Sequence, residues 1–353
     1  MGILEKHYSP IEGILAVLDE GSATATNKFA VLLALIDLAP RLGDSNEIKI
    51  EEIAELLLEL QWNHTDPFHG KVAPRQVTSR NIEAPVTIQQ ISILRKSLDQ
   101  PYNFTQAKAK ISKQTWISSI KAIAQMLKKN PLRKLQNINS KNFEFLYPID
   151  FSKNTLKLYP EAKHDLIEYG GVLRQLVETR FIRFVAMTNF KTDDYSDLEN
   201  YLFGADRFMP ANEMRRDLYD LQKGKCVYSG EKLSREKFHV DHVIPWSKVR
   251  ISHIQNFLLT TPKLNSEKTN LLLSEDLVAK WVAFEQENSQ VLHQIATSFL
   301  WPKDIQIVKR SFTNLYEKAP DGTPTFNIKS IVPLTSNSRN KILELIDSLP
   351  PVK

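Results

Sequence analysis

Two prolines and one short alternating run constrain this chain more than any other feature. The run is Phe238-His-Val-Asp-His-Val-Ile-Pro-Trp-Ser247, followed by Asn256-Phe-Leu-Leu-Thr-Thr-Pro-Lys-Leu-Asn-Ser-Glu-Lys268. Phe238, Val240 and Val243-Ile244, with polar residues between them, predict a short strand. Its two-residue period sends His239 and Asp241 to one face and His242 to the other, unless the strand turns there. Pro245 has no N–H to give to a ladder, so the chain must turn. Thr261 before Pro262 offers a hydroxyl at the N-cap and proline at the first helical position. Asn265 then falls in the first turns of a helix, and Lys268 about one turn later. The predicted unit is strand, loop and helix, carrying a carboxylate, two imidazoles and an amide.

Those groups suit phosphodiester hydrolysis. The reaction needs a nucleophile activated near neutral pH and a cation to offset charge on the phosphate and the leaving oxygen. A hard ion such as Mg²⁺, or Mn²⁺ in its place, takes oxygen ligands and keeps several waters. Asp241 and the side-chain oxygen of Asn265 are suitable donors. His242 can accept a proton from water, because an imidazole titrates near pH ~6.5.

In order and spacing these residues resemble the HNH, or ββα-metal, endonuclease superfamily, over about 45 residues between 226 and 270. The resemblance implies that Asp241 binds the metal and His242 is the general base. It implies that Asn256 braces the intervening loop through backbone hydrogen bonds. Asn265 stands where the motif has its last histidine, the HNN variant, and would be the second metal ligand. Lys268 would contact substrate phosphate. His239 fills the first position of the family's His-x-Asp-His form and has three readings: a further metal ligand, a phosphate contact or a structural hydrogen-bonder. Lys248, Arg250 and Lys263 flank the site, either to hold the nucleic-acid backbone or simply to lie in solvent.

One departure is plain. Many relatives hold a structural zinc with two Cys-x-x-Cys pairs. Here Cys226 and Ser229 stand for the first pair, and Thr261 and Leu264 for the second. A tetrahedral zinc cannot be built from those groups, so none is expected. Packing through Tyr228, Phe238, Trp246 and Phe257 is expected instead, with Cys226 as a small buried residue. As the chain's one cysteine it also forms no intrachain disulfide.

The rest of the 353 residues is expected to supply recognition. From 93 to 141 there are eleven Lys or Arg against a single acid, Asp99, a local charge of +10 on a chain whose total is +5. Such asymmetry is the footprint of a phosphate-binding surface. Helices are predicted over Asn27–Ala39 (capped by Thr24 or Thr26), Glu51–Trp62, Ile91–Leu98, Thr105–Lys129, Gly171–Met187 with Arg174, Arg180 and Arg183 on its polar side, Leu277–Leu300 and Lys341–Leu349. Short strands are expected at Glu47–Ile50 and within Phe143–Tyr159. No apolar run is long enough to span a bilayer and no signal peptide is evident, so a cytoplasmic protein is expected.

The expected fold is α+β. Residues 1–195 form a mostly helical recognition region, 196–275 the ββα-metal module, and 276–353 a short helical tail. The function expected is endonuclease cleavage of DNA, with RNA left open, in restriction or phage defence. Two other readings stand beside it: a nuclease subunit of a larger defence or CRISPR-type complex, and a nucleic-acid-binding protein with an inactive HNH module. A homodimer or partner subunits are compatible with each.

Overall fold

The computed structural model describes residues 7–19, 24–79, 84–190, 196–204, 209–328 and 330–350. The chain is α+β, largely helical with small sheets. It divides into two compact units, Met1–Arg207 and Phe208–Lys353. The charged, turn-prone stretch 189–200 is expected from the sequence to be a domain boundary, and its residues 191–195 lie outside the described residues. Among the described residues no helix is long and apolar enough to cross a membrane.

The first unit begins with α1 (Pro10–Asp19) and α2 (Asn27–Leu38). Nine of the twelve α2 residues are buried, which fits a sequence apolar on every side, and α2 packs against its neighbours as a central helix. Thr26 occupies the N-cap position but does not cap; its hydroxyl donates to Gln76 Oε1 at 2.9 Å. β1 (Glu47–Lys49) leads into α3 (Ile50–Gln61), followed by α4 (Val86–Lys96).

The helix expected over 105–129 is two: α5 (Phe104–Lys110) and α6 (Lys113–Lys129). The break comes at Ser112, whose hydroxyl accepts from Thr115 N at 3.2 Å and so starts α6 afresh. On α6, Trp116, Ile120, Ile123 and Leu127 are buried, while Lys113, Lys121 and Lys129 are exposed.

After α7 (Pro131–Lys134) come the hairpin β2 (Asn137–Ile138) and β3 (Lys141–Asn142), then β4 (Thr155–Lys157), which pairs antiparallel with β1. α8 (Pro160–Glu168), α9 (Gly170–Asn189) and α10 (Ser196–Phe203) complete the unit. Arg174 departs from expectation: it is buried in an ion pair with Asp37 and lies 3.2 Å from Glu178. A buried guanidinium needs such partners to offset its lost hydration.

The second unit opens with α11 (Asn212–Leu221) and a turn-rich stretch ending at β5 (His239–His242). β5 pairs antiparallel with β6 (Phe257–Thr260), with Asp241 opposite Leu258 and His242 opposite Phe257. At the end of α11 the Gln222 side chain accepts from Leu259 N at 2.7 Å and donates to Leu259 O at 3.0 Å, occupying both backbone groups of that β6 residue. α12 (Pro262–Lys268) follows, with Thr261 Oγ1 accepting from Leu264 N at 3.2 Å.

Beyond it lie β7 (Leu272–Leu273), α13 (Glu275–Ser298), α14 (Ile305–Lys318), β8 (Pro324–Asn327), β9 (Ser330–Pro333) and α15 (Ser336–Asp347). The C-terminal stretch is therefore not purely helical. β8 runs parallel to β7 and antiparallel to β9, in one compact unit with the β5–β6 hairpin. Trp281 of α13 stacks on Phe312 of α14 at 4.4 Å between ring centroids.

In the same helix Glu285 is buried, and its Oε1 has no hydrogen-bond partner among the described residues. Burial pushes its carboxyl well above the usual glutamate range. Raised in the fold but ordinary when unfolded, such a group leaves stability whole at acid pH. Stability then falls as pH climbs above the unfolded value toward the folded one. Glu285→Gln should therefore raise the thermal midpoint by several degrees at pH 7 and hardly change it at pH 4. Equal midpoints for variant and wild type at pH 7 would contradict the argument.

Candidate active site

Strand alternation and the helix period together build the site. His239 and Asp241 are two apart on β5 and share a face. Asn265 and Lys268 are three apart on α12 and share a side of that helix. The two pairs meet. Asn265 Nδ2 lies 3.4 Å from His239 Nδ1, and Lys268 Nζ donates to Asp241 Oδ1 at 2.9 Å.

Asp241 is the buried centre, 5% exposed. Its Oδ2 accepts from the Tyr228 hydroxyl at 2.7 Å, so each carboxylate oxygen has a protein donor and a lone-pair direction left over. Burial, and next the Asp241 charge, push the Tyr228 hydroxyl well above the ordinary tyrosine range, so it stays a donor. Lys268 is 1% exposed and also donates to the His242 carbonyl at 2.6 Å. Its ammonium is thus held inside the unit on Asp241 and the β5 backbone rather than offered to solvent.

His242 is half-buried, its ring 5.2 Å from that of Trp246 and 4.9 Å from that of Phe257. Asn256 is fully buried. Its Oδ1 accepts from Ile244 N at 2.7 Å, and its Nδ2 donates to Ile244 O at 3.2 Å and Ile251 O at 3.0 Å. It closes the loop that Pro245 opens.

The remaining positions lie further out. His239, Lys248 and Lys263 are exposed. Lys263 is 3.9 Å from Glu267, one turn on, and Arg250 lies over the Trp246 ring at 5.9 Å. Sequence reasoning did not foresee Tyr228 as the second donor to Asp241, nor Gln222 as the clasp on β6. A buried tyrosine must place its hydroxyl somewhere, which was the available signal for the first.

At the zinc-pair positions, Cys226 is buried and its Sγ shares a 3.4 Å hydrogen bond with Thr260 Oγ1. The turn that carries it closes through Gly230 N to Cys226 O at 2.8 Å and Cys226 N to Glu231 O at 2.9 Å. Of the four aromatic residues expected to fill in, Tyr228 and Phe257 are fully buried, and Phe238 and Trp246 half-buried.

Among the described residues no three His, Cys, Asp or Glu side chains cluster as a metal-binding group. Hydrogen bonds pair the Asn265 amide with the His239 imidazole and the Asp241 carboxylate with the Lys268 ammonium, across the facing elements β5 and α12. β5 runs regularly through His242, and alternation turns that ring to the other face. Oxygen donors so few in number fit a hard divalent ion that keeps most of its water. A half-turn of the Asn265 amide would present its oxygen where its nitrogen now lies.

Residues 226–272 match the HNH endonuclease family. That segment is an HNH domain, and the chain carries it within its second unit. Among curated proteins, the CRISPR-associated endonuclease Cas9 of Streptococcus mutans is 34% identical over 70 residues. Those residues are 19% of this chain and only 5% of that protein. No solved structure gives a significant match.

Removing one partner of a buried ion pair costs about 3–5 kcal/mol, because the other charge is left uncompensated. Lys268→Met should lower the unfolding midpoint strongly, and adding Asp241→Asn should restore most of the loss. Purely additive effects in this double-mutant cycle would show that the two side chains do not depend on one another.

Proposed function

We propose that this chain is a metal-dependent HNH endonuclease that hydrolyses phosphodiester bonds of DNA, in restriction or defence against phage. The observation that carries the reading is the meeting of β5 and α12. A buried carboxylate at Asp241 faces the helix that bears Asn265, with His242 next in the chain, inside a segment that matches the HNH family.

In this reading Asp241 and the Asn265 amide oxygen hold Mg²⁺ or Mn²⁺, with His239 within reach as a further ligand. The bound cation supplies positive charge beside the phosphate and the departing oxygen. His242, its ring placed by Trp246 and Phe257, accepts a proton from the attacking water. The water oxygen bonds to phosphorus as the bond to the 3′ oxygen breaks, and that oxygen takes a proton from solvent. Tyr228 and Lys268 hold Asp241 in one orientation, and Asn256 fixes the loop that follows His242. In this reading Lys248, Lys263 and Arg250 meet the nucleic-acid backbone. In the first unit the exposed lysines of α6 offer a second phosphate-binding face, which suits target recognition.

His242→Ala should lower cleavage of plasmid DNA by about 10²–10⁴-fold in Mg²⁺ or Mn²⁺ while leaving DNA binding nearly unchanged. EDTA should abolish cleavage by the wild type. Equal cleavage by wild type and variant would remove His242 from the role of base.

A second reading has one observation in its favour, the stretch of identity to Cas9. In it a partner or guide selects the target, and the free chain binds DNA weakly with a shallow salt dependence. A self-sufficient nuclease would instead show a steep fall of log K with log salt.

A further inference from the structure

Between α11 and the turn that leads into β5 lies a groove of about 580 Å³, lined by Arg215, Arg216, Tyr219, Asp220, Arg235 and Phe238. We propose that this groove is a subsite for an unpaired nucleotide of the substrate strand beside the scissile bond. The inference rests on the nuclease reading and adds to it the state of the strand that is cut.

The floor of the groove is rigid. Tyr219 donates its hydroxyl to Leu233 O at 3.0 Å, and its ring lies 5.6 Å from that of Phe238, tilted by 33°. The chain passes close beneath at Gly224, which has a φ of +62°. A Cβ there would stand 2.8 Å from Tyr219 Oη, so both backbone conformation and space require glycine. Tyr219 is thereby fixed as a platform, and Phe238 is left half-exposed beside it.

The walls are cationic and less constrained. Arg235 lies over the Tyr219 ring at 5.6 Å and 3.7 Å from Asp220, in a pair whose side chains are 79% and 69% exposed. An ion pair that open contributes little and yields readily to a phosphate. Arg216 is exposed, and Arg215 uses its Nε on Pro210 O at 2.8 Å. Aromatic faces with guanidinium groups beside them are how proteins take unstacked bases and their phosphates. Asp220 and Glu236 also line the groove. They repel phosphate, which assigns the backbone to the arginines, and their oxygens can accept from amino groups on a base edge.

Along the backbone the groove adjoins the site already described, with Phe238, by strand alternation, on the side of His242 rather than of Asp241. Phe238 directly precedes His239, and Asp241 is three residues further on. At the rise of a strand this is about 10 Å. That distance is roughly three base steps of a stacked strand. A base still paired in a duplex shows no open face to Tyr219 and Phe238, so the groove selects a strand that is single or locally opened.

The test measures binding by the full-length chain, in EDTA, of a labelled single-stranded oligonucleotide and of the same sequence as a blunt duplex. Phe238→Leu should weaken single-strand binding roughly tenfold and leave duplex binding unchanged. Arg216→Ala with Arg235→Ala should lower the slope of log K against log salt for the single strand by about 1.4, two phosphate contacts. Both arginines are exposed, so this variant decides the matter even if Phe238→Leu fails to fold. The subsite is overturned if the wild type does not bind the single strand. It is also overturned if the arginine variant matches the wild type, or if a folded Phe238→Leu protein loses both forms of DNA equally. Cleavage of the same oligonucleotides by the wild type in Mg²⁺ or Mn²⁺ reports on the nuclease reading separately. Strand-selective binding without cleavage would defeat that reading alone, and cleavage with unaltered variants would defeat the subsite alone.

Discussion

A lysine buried on a carboxylate organises the second unit. Lys268 and Asp241 are both almost wholly withdrawn from water. Desolvating two charges costs several kcal/mol each, recovered only when geometry and extra hydrogen bonds are good. Here they are: Tyr228 takes the other carboxylate oxygen, and the His242 carbonyl takes a second donor of the ammonium. The pair fixes α12 against β5, and with it the facing of Asn265 and His239. The cost is visible just beyond. Thr269, a β-branched residue, stands at φ +50°, where such side chains are strained, because the helix must stop at Lys268 and turn toward β7.

Much of this module was legible in the sequence, because its signals are local. Thr261-Pro262 marks the start of α12 by a hydroxyl and a fixed φ, and the alternation around Asp241 marks β5. Asn256 appeared through its place in the motif. What was not legible depended on partners far along the chain. Lysine is the residue most often left in water, so nothing near Lys268 announces that Asp241, twenty-seven positions earlier, draws it inside. Arg174 is the same case, since the helical pattern puts it on a polar side while Asp37 captures it from another helix. The strand β8 escaped notice because one of its partners is the two-residue β7, some fifty residues upstream, whereas β9, which pairs locally with β8, was within reach. The break between α5 and α6 was within reach, for Ser112 followed by Thr115 is a capping signal, but an unbroken run of lysines and apolar residues hid it.

In the first unit the stretch 66–79, which carries no helix or named strand, is tied down by side-chain hydrogen bonds. Gln76 Oε1 accepts from both Thr26 and Gln61, so one amide links this stretch to the start of α2 and the end of α3. His64 adds a ring nitrogen 2.9 Å from the Leu202 carbonyl, and burial lowers its pKa to about 4, so the contact is made by a neutral imidazole. Buried polar groups of this kind specify one arrangement among several that apolar packing alone would allow. That matters for a chain whose proposed work is to present a basic face in a fixed pose.

The clasp of Gln222 on Leu259 has a consequence for assembly. A two-stranded hairpin normally leaves an outer rim of amide and carbonyl groups on which a foreign strand can build. Here a glutamine side chain stands in for that strand at the middle of the rim and satisfies both groups. Recruitment of a neighbour by sheet extension is thereby blocked at the middle of the β6 rim.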